Sequence, residues 1–254
     1  MTDAPHHWRE LHRAACEPYR RSGRFAWHFA RGKLGRDPFF RHMLESGLAS
    51  QGSRVLDIGS GQGLLASLLT SCSASAVAGR WPLAWPAAPR LDRYLGIELM
   101  SRDVQRAERA LAGDERIRFV CADMCQAAFP PSDLVVILDV LHYVDHAAQA
   151  AVLERVRQAL MPRGRLLLRV GDLAQSRGYA VSQWVDRLVT RVRGHRVAPT
   201  FGRSVAQWRA LLEQLGFEVQ TQAMSQGTPF ANTLLVCDLI PAVPSSRAGS
   251  GAAG

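Results

Sequence analysis

Asp57, Gly59, Gly61 and Gly63 stand in the run Asp-Ile-Gly-Ser-Gly-Gln-Gly, where a β-rich stretch gives way to a helical one. Glycines at such a junction turn the chain tightly and let bare backbone approach a ligand. The spacing is G-x-G-x-G, with Leu64 where a dinucleotide fingerprint places its third glycine, so the pattern departs from that of nicotinamide binders. A glycine loop alone can be no more than a turn. Three further carboxylates give this one meaning: Glu98, Asp123 and Asp139 fall at or near the ends of successive β-rich runs. That is the mouth where open α/β sheets bind ligands. A carboxylate after the second run can accept both hydroxyls of a ribose, and one after the third can accept from an adenine amino group. The chemistry such a set serves is the holding of an adenosine-bearing cofactor.

The elements that must position these residues are read from periodicity. Residues 54–59 read as a buried strand and 94–99, 117–123, 133–140 and 164–172 as further strands, alternating with helical patterns as a parallel α/β sheet requires. Helices are predicted over 62–70 and from Ser101, the latter with Val104, Ala107 and Leu111 on one face. Asp145 is the predicted N-cap of a helix carrying Val152, Leu153, Val156 and Leu160, which Pro162 and Gly164 stop. Ser204 and Gln207 form a capping box for a helix burying Trp208 and Leu212, closed by Gly216. Two strands, 217–223 and 232–238, follow. Three segments lie outside this frame. Residues 1–50 read as a helical, aromatic and basic cap, residues 71–92 as a Ser/Ala/Pro-rich surface insertion, and residues 241–254 as a disordered tail.

The stretches VLDIGSGQGLLA, GIELM, RFVCADM, DLVVILDVLHYVD and LMPRGRLLLRVGD resemble class I S-adenosylmethionine-dependent methyltransferases. The resemblance covers residues 50–240, and it implies an α/β, Rossmann-like, seven-stranded, mostly parallel sheet with its last strand antiparallel. It implies S-adenosylmethionine as cofactor. Asp57, Gly59, Gly61 and Gly63 would meet its methionine part, Glu98 with Leu99 its ribose, and Asp123 with Met124 its adenine, with Asp139 at the mouth. Glu98 lies farther past the glycines than the ~20 residues of dinucleotide folds, an excess that the 71–92 insertion accounts for. Asp92 is the weaker alternative for ribose, because it precedes its strand. The runs FAWHFARGKLGRDPFFRHML, DVLHYVD, LLLRVGD and TPFANTLLV are similar to methyltransferases of aryl-polyene (xanthomonadin-type) pigment biosynthesis. That resemblance implies O-methylation of a phenolic or aryl-polyene hydroxyl, free or carried on an acyl carrier protein.

A phenol with pKa about 10 is mostly protonated at neutral pH, so a general base helps its methylation. His142, in Asp139-Val-Leu-His142-Tyr143, is the first candidate and His195, in Arg193-Gly-His195-Arg196, the second. Alignment of the reactants alone can also carry such a transfer. Tyr143, Arg169 and Arg196 are candidates for the substrate side. No H-x-x-H, H-E-x-x-H or carboxylate–histidine cluster occurs, so no metal site is expected.

Composition bounds the rest. The 254 residues, 47% hydrophobic and 21% charged, suffice for one sizeable domain and rule out wholesale disorder. The five cysteines form no CxxC pair, which predicts reduced core thiols rather than disulfides or structural zinc. No signal-peptide core and no apolar run of about 18 residues is present, so the expectation is a cytoplasmic protein. The net charge of +9 is carried almost wholly by arginine, with Lys33 the single lysine. It divides unevenly: residues 1–50 carry +4 and 173–203 carry +5, while 51–172 carry +1 and the remainder −1. Charge placed on a cap and on a substrate-side insertion predicts an anionic partner: an acidic carrier protein, an acidic substrate or an anionic membrane surface. Nucleic acid is disfavoured, because the fourth strand ends Asp-Val-Leu-His and not in the Asn/Asp-Pro-Pro-aromatic sequence of base-amino methylating enzymes.

Overall fold

The runs VLDI and DLVVIL are apolar on both faces of an extended chain, as a sheet covered on both sides requires. They become β1 (Arg54–Ile58) and β4 (Ser132–Leu138), neighbours at the centre of a seven-stranded sheet. The computed structural model describes residues 4–49, 53–171, 201–224 and 232–240. With β2 (Arg93–Glu98), β3 (Ile117–Cys121), β5 (Leu160–Gly171), β6 (Phe217–Ala223) and β7 (Asn232–Leu239), the sheet order is β3-β2-β1-β4-β5-β7-β6. β1 to β5 pair in parallel. β7 runs antiparallel to both β5 and β6, the arrangement the resemblance implies.

Side chains alternate strictly across this sheet. Val55, Leu134, Val136, Leu167, Leu234 and Val236 face one apolar core, whereas Leu56, Ile58, Val135, Ile137, Leu166, Leu168 and Leu235 face the other. A one-residue slip of any central strand would exchange the two sets, so register is firmly specified. The second core is closed by α6 (His146–Ala159) and α7 (Val205–Gln214), through Val152, Leu153, Val156, Trp208 and Leu212. Both helices begin at the predicted caps. Asp145 accepts from Ala148 N–H at 2.8 Å, and Ser204 with Gln207 closes a full capping box.

The first core is shared between the sheet and the N-terminal helices. These are α1 (Ala4–Cys16), a 3-10 turn (Glu17–Ser22), α2 (Arg24–Arg36) and α3 (Pro38–Glu45). Tyr19, Leu34, Phe39 and Met43 bury themselves with Leu65, Leu68 and Tyr94, so the cap and the sheet form one packed body. Here α4 (Leu64–Val77) is longer than the predicted 62–70. Its Ser/Ala-rich continuation stays helical with the Ser71 and Ser73 hydroxyls donating back to Ser67 O and Leu69 O, while near its start Ser67 Oγ ties it to α1 by donating to Ala15 O at 2.7 Å. The 71–92 segment is only partly the expected surface insertion: residues 77–80 and Leu83 are exposed, but other parts are tied in. Its first turns belong to α4, and Trp85 is buried edge-on to His7 and to Trp81. α5 (Ser101–Ala110) buries Val104 and Ala107 as predicted. The predicted disordered tail, 241–254, lies outside the described residues, as does most of 173–203. No helix among the described residues is long and apolar enough to cross a membrane.

Candidate functional site

The glycine loop leaves β1 with Gly59, Gly61 and Gly63 all at positive φ, +80°, +53° and +73°. Two of the three are packed tight. A Cβ on Gly59 would come within 2.5 Å of Val140, and one on Gly63 within 2.5 Å of the Phe119 ring. At Gly61 a Cβ would meet nothing within 4 Å. This glycine leaves open space in front of backbone that is already bent to receive something. The loop is tied to β2 by Gly59 and Ser60 N–H groups, which both donate to Ile97 O.

Glu98 ends β2 against this loop. One carboxylate oxygen accepts from Gly61 N–H and the other from Met100 N–H, each at 2.9 Å. A carboxylate offers about four acceptor positions, so capacity remains for two hydroxyl donors. Leu99 follows it, 67% exposed, an apolar side chain set beside a polar mouth. Asp123 lies exposed beyond β3 and folds its carboxylate onto Cys125 N–H at 2.8 Å. Met124 is half-buried beside it, and its carbonyl is held by Arg155.

Asp57 departs from its expected role. It is buried in β1, and its carboxylate accepts from the hydroxyl of buried Tyr94, so it braces the loop from beneath. Burial pushes its pKa up to about 7, with Glu98 adding to the rise and the Tyr94 hydrogen bond opposing it. Arg169 departs further. Expected on the substrate side, it is 2% exposed, with its guanidinium spent on Asp139 and Asp37.

His142 sits in a 3-10 turn (Leu141–Tyr143) just past β4, its ring 4.1 Å from that of Tyr143, which is itself exposed. Burial lowers the imidazole pKa, and the Asp139 charge opposes that only in part. A neutral imidazole at physiological pH is a competent proton acceptor. The turn is fastened from behind. Buried Gln149 donates to Leu141 O, Val144 O and Phe201 O, Arg203 donates to Gln149, and Phe201 N–H donates to His142 O at 2.8 Å. His195 and Arg196 lie outside the described residues.

The structure thus brings the glycine loop, Glu98, Leu99, Asp139, His142 and Tyr143 to the carboxyl ends of β1, β2 and β4. Residues 26–222 match the sequence family described as methyltransferase domain. The chain belongs to that family. S-adenosylmethionine is the family's cofactor. Acetylserotonin O-methyltransferase of Mus musculus is 33% identical over 109 residues, covering 41% of this chain and 26% of that protein. Among solved structures, human N-acetylserotonin methyltransferase in complex with SAM superimposes with a TM-score of 0.56 at 16% identity, covering 91% of this chain and 58% of that one. Mitomycin 7-O-methyltransferase gives 0.55 at 22% identity, covering 91% and 68%. The match to the mouse relative spans about a quarter of its length. At these identities the solved structures speak for the fold, which is the methyltransferase fold.

The residues present fit that cofactor. Gln62, within the loop and 1% exposed, has no partner for either its amide nitrogen or its amide oxygen, and the Ser60 hydroxyl is likewise unpartnered. Buried polar groups without partners are costly, and a polar ligand in the loop would satisfy them. Sequence reasoning missed Gln62, although it stands between two glycines of the motif, and Tyr94, which carries no motif. It also missed Asp37. The Asp-Pro pair opening α3 was a visible N-cap signal, since the Asp37 carboxylate accepts from Phe39 N–H at 3.0 Å.

Proposed function

We propose that this protein transfers the methyl group of S-adenosylmethionine to a hydroxyl of a small aromatic molecule, of the phenolic or aryl-polyene type, presented free or on an acidic acyl carrier protein. The observation that carries this reading is the half-buried His142, on the 3-10 turn just past β4, at the same carboxyl ends of the sheet as the glycine loop and with burial lowering its imidazole pKa. The mouse relative is named for O-methylation, which supports an oxygen acceptor. When bound, the cofactor supplies an electrophilic sulfonium methyl.

Everything else falls to this chain. The backbone of Gly61 and the polar groups of Ser60 and Gln62 would hold the methionine end, with Gly59 and Gly63 shaping the turn. The Glu98 carboxylate would take the ribose hydroxyls. Leu99, Asp123 and Met124 would bound the adenine, by apolar contact and by acceptance from its amino group. His142 would accept the phenolic proton at an imidazole nitrogen as the oxygen is alkylated, and the negative charge of Asp139 would favour the imidazolium that forms. Tyr143 would supply an aromatic wall for an aromatic acceptor. Holding the two centres in line and excluding water contributes the remainder.

The test is turnover against a panel of phenolic acids, free and carrier-linked, read by mass spectrometry as a gain of one methylene. At least one acceptor should be methylated, and His142→Ala should slow that turnover by about 10²–10⁴-fold while leaving cofactor affinity intact. Unchanged turnover in that variant would remove His142 as base. Failure of calorimetry to detect cofactor binding would sink the enzyme reading altogether.

A further inference from the structure

Four charged side chains run in a line from the helical cap to the mouth. Lys33, on α2, lies 2.8 Å from one carboxylate oxygen of Asp37. The other oxygen of Asp37 accepts from Arg169, on β5, at 2.6 Å. Arg169 then turns its Nε to both oxygens of Asp139 at 3.0 Å, and its Nη2 to one of them. Asp37 and Arg169 are both buried, and Asp37 is pulled well below the ordinary carboxylate range despite its burial, by the charges of Arg169 and Lys33. The chain is balanced, two positive against two negative, which is the condition under which buried charges are tolerated.

Its far end holds an unusual backbone. Asp139 is one of only two non-glycine residues at positive φ among the described residues, at +58°. That conformation ends β4 and sends the chain into the turn carrying His142. A strained residue of this kind persists only where its surroundings over-determine it. Here the fork from Arg169 does so, together with the Asp139 N–H bond to Arg169 O at 3.2 Å. Asp139 takes the Nε and Nη2 of Arg169, and Asp37, from the cap, takes the remaining Nη1.

We propose that Asp37 and Arg169 are positioning residues for the reaction site, and that the N-terminal cap is an integral part of it. Through Arg169, Asp37 fixes Asp139 in its left-handed conformation and so sets the exit of β4 and the turn bearing His142. Neither Asp37 nor Arg169 need touch a ligand.

Asp37→Asn isolates this role, because asparagine caps helices as well as aspartate and so spares α3 while removing the charge. Hydrogen–deuterium exchange of the full chain should show residues 138–144 exchanging about tenfold faster in Asp37→Asn, with β1 unchanged. Arg169→Lys, which keeps the charge but loses the fork, should reproduce that local loosening and serves if Asp37→Asn does not fold. Calorimetry with S-adenosylhomocysteine adds a ligand readout, and only this part rests on the methyltransferase reading. Affinity should fall about tenfold in Asp37→Asn, and the loss should vanish when Asp139→Asn is already present. Exchange over 138–144 that matches the wild type, or loosening spread evenly over the cap and sheet, would overturn the proposal. Loosening at 138–144 in a protein whose wild type ignores S-adenosylhomocysteine would uphold the relay and defeat the methyltransferase reading.

Discussion

At the residue scale, three glycines of one motif turn out to be unlike one another. All need positive φ, but only Gly61 faces open space. Alanine at Gly61 should therefore cost about 1–2 kcal/mol for its left-handed backbone and leave the fold intact, while its methyl group occupies the ligand space and abolishes cofactor binding. Gly59→Ala and Gly63→Ala should instead lower the melting temperature more steeply, by clashing with Val140 and Phe119. Equal thermal losses in all three would contradict this. Asp57 gives a second residue-scale expectation, with a definite sign. Its folded pKa, about 7, lies above the ordinary carboxylate value because of burial first and Glu98 second. The bound proton therefore stabilises the fold below pH ~4, and that contribution is lost as pH rises to about 7. Asp57→Asn, which can still accept from Tyr94, should flatten stability between pH 4 and 8. Chemical denaturation at several pH values measures it, and an unaltered slope would speak against the buried proton.

At the scale of elements, local signals were the legible ones. Asp145 and the Ser204–Gln207 box lie within four residues of the helices that they start, so a short window of sequence contains the whole interaction. The strand runs were legible for a related reason: a sheet buried on both faces writes continuous apolar stretches. The end of α4 was not, because a Ser/Ala/Pro-rich composition reads as a loop, whereas the Ser71 and Ser73 hydroxyls bond back to carbonyls of the preceding turn and Cys72 and Ser75 are buried. Helix α1 holds His7, 1% exposed, with neither ring nitrogen partnered, edge-on to Trp81 and Trp85. Burial depresses its pKa, with Arg80 and His6 adding to the effect and Glu10 opposing it. A depressed histidine contributes stability that is full above about pH 6.5 and lost as pH falls through the folded value. His7→Phe keeps the aromatic box and forfeits no hydrogen bond, so its stability advantage over the wild type should grow as pH drops from 7 to 5. A difference that stays constant over that range would refute the assignment.

At the scale of the whole molecule, the seven-stranded, mostly parallel sheet with an antiparallel last strand could be read ahead of the structure, whereas the ion-pair chain joining cap to mouth could not. Asp37 and Arg169 are separated by 132 residues, and no periodicity links them. Arg169 looked like a substrate arginine because a lone basic residue near a strand end has no visible partner until the cap folds over it. The same folding turns an apparent appendage into a shared core, with Tyr19, Phe39 and Tyr94 packed together. Removing the first fifty residues would therefore expose the interior of the sheet and strip the relay at once.

The clamp behind His142 has a consequence for how such a protein can diversify. β5 ends at Gly171, two residues beyond the arginine that grips Asp139, and the chain is next described at Phe201, bonded to His142 itself and locked by Gln149 and Arg203. Gly171 and Phe201 are thus both fixed posts, the one in the sheet and the other on the turn that carries His142. Between such posts a stretch of chain can be rewritten, lengthened or exchanged with that of a cousin without disturbing the register of any strand. Any such exchange would leave the Arg169–Asp139 pair and the Gln149–Arg203 clamp as they stand.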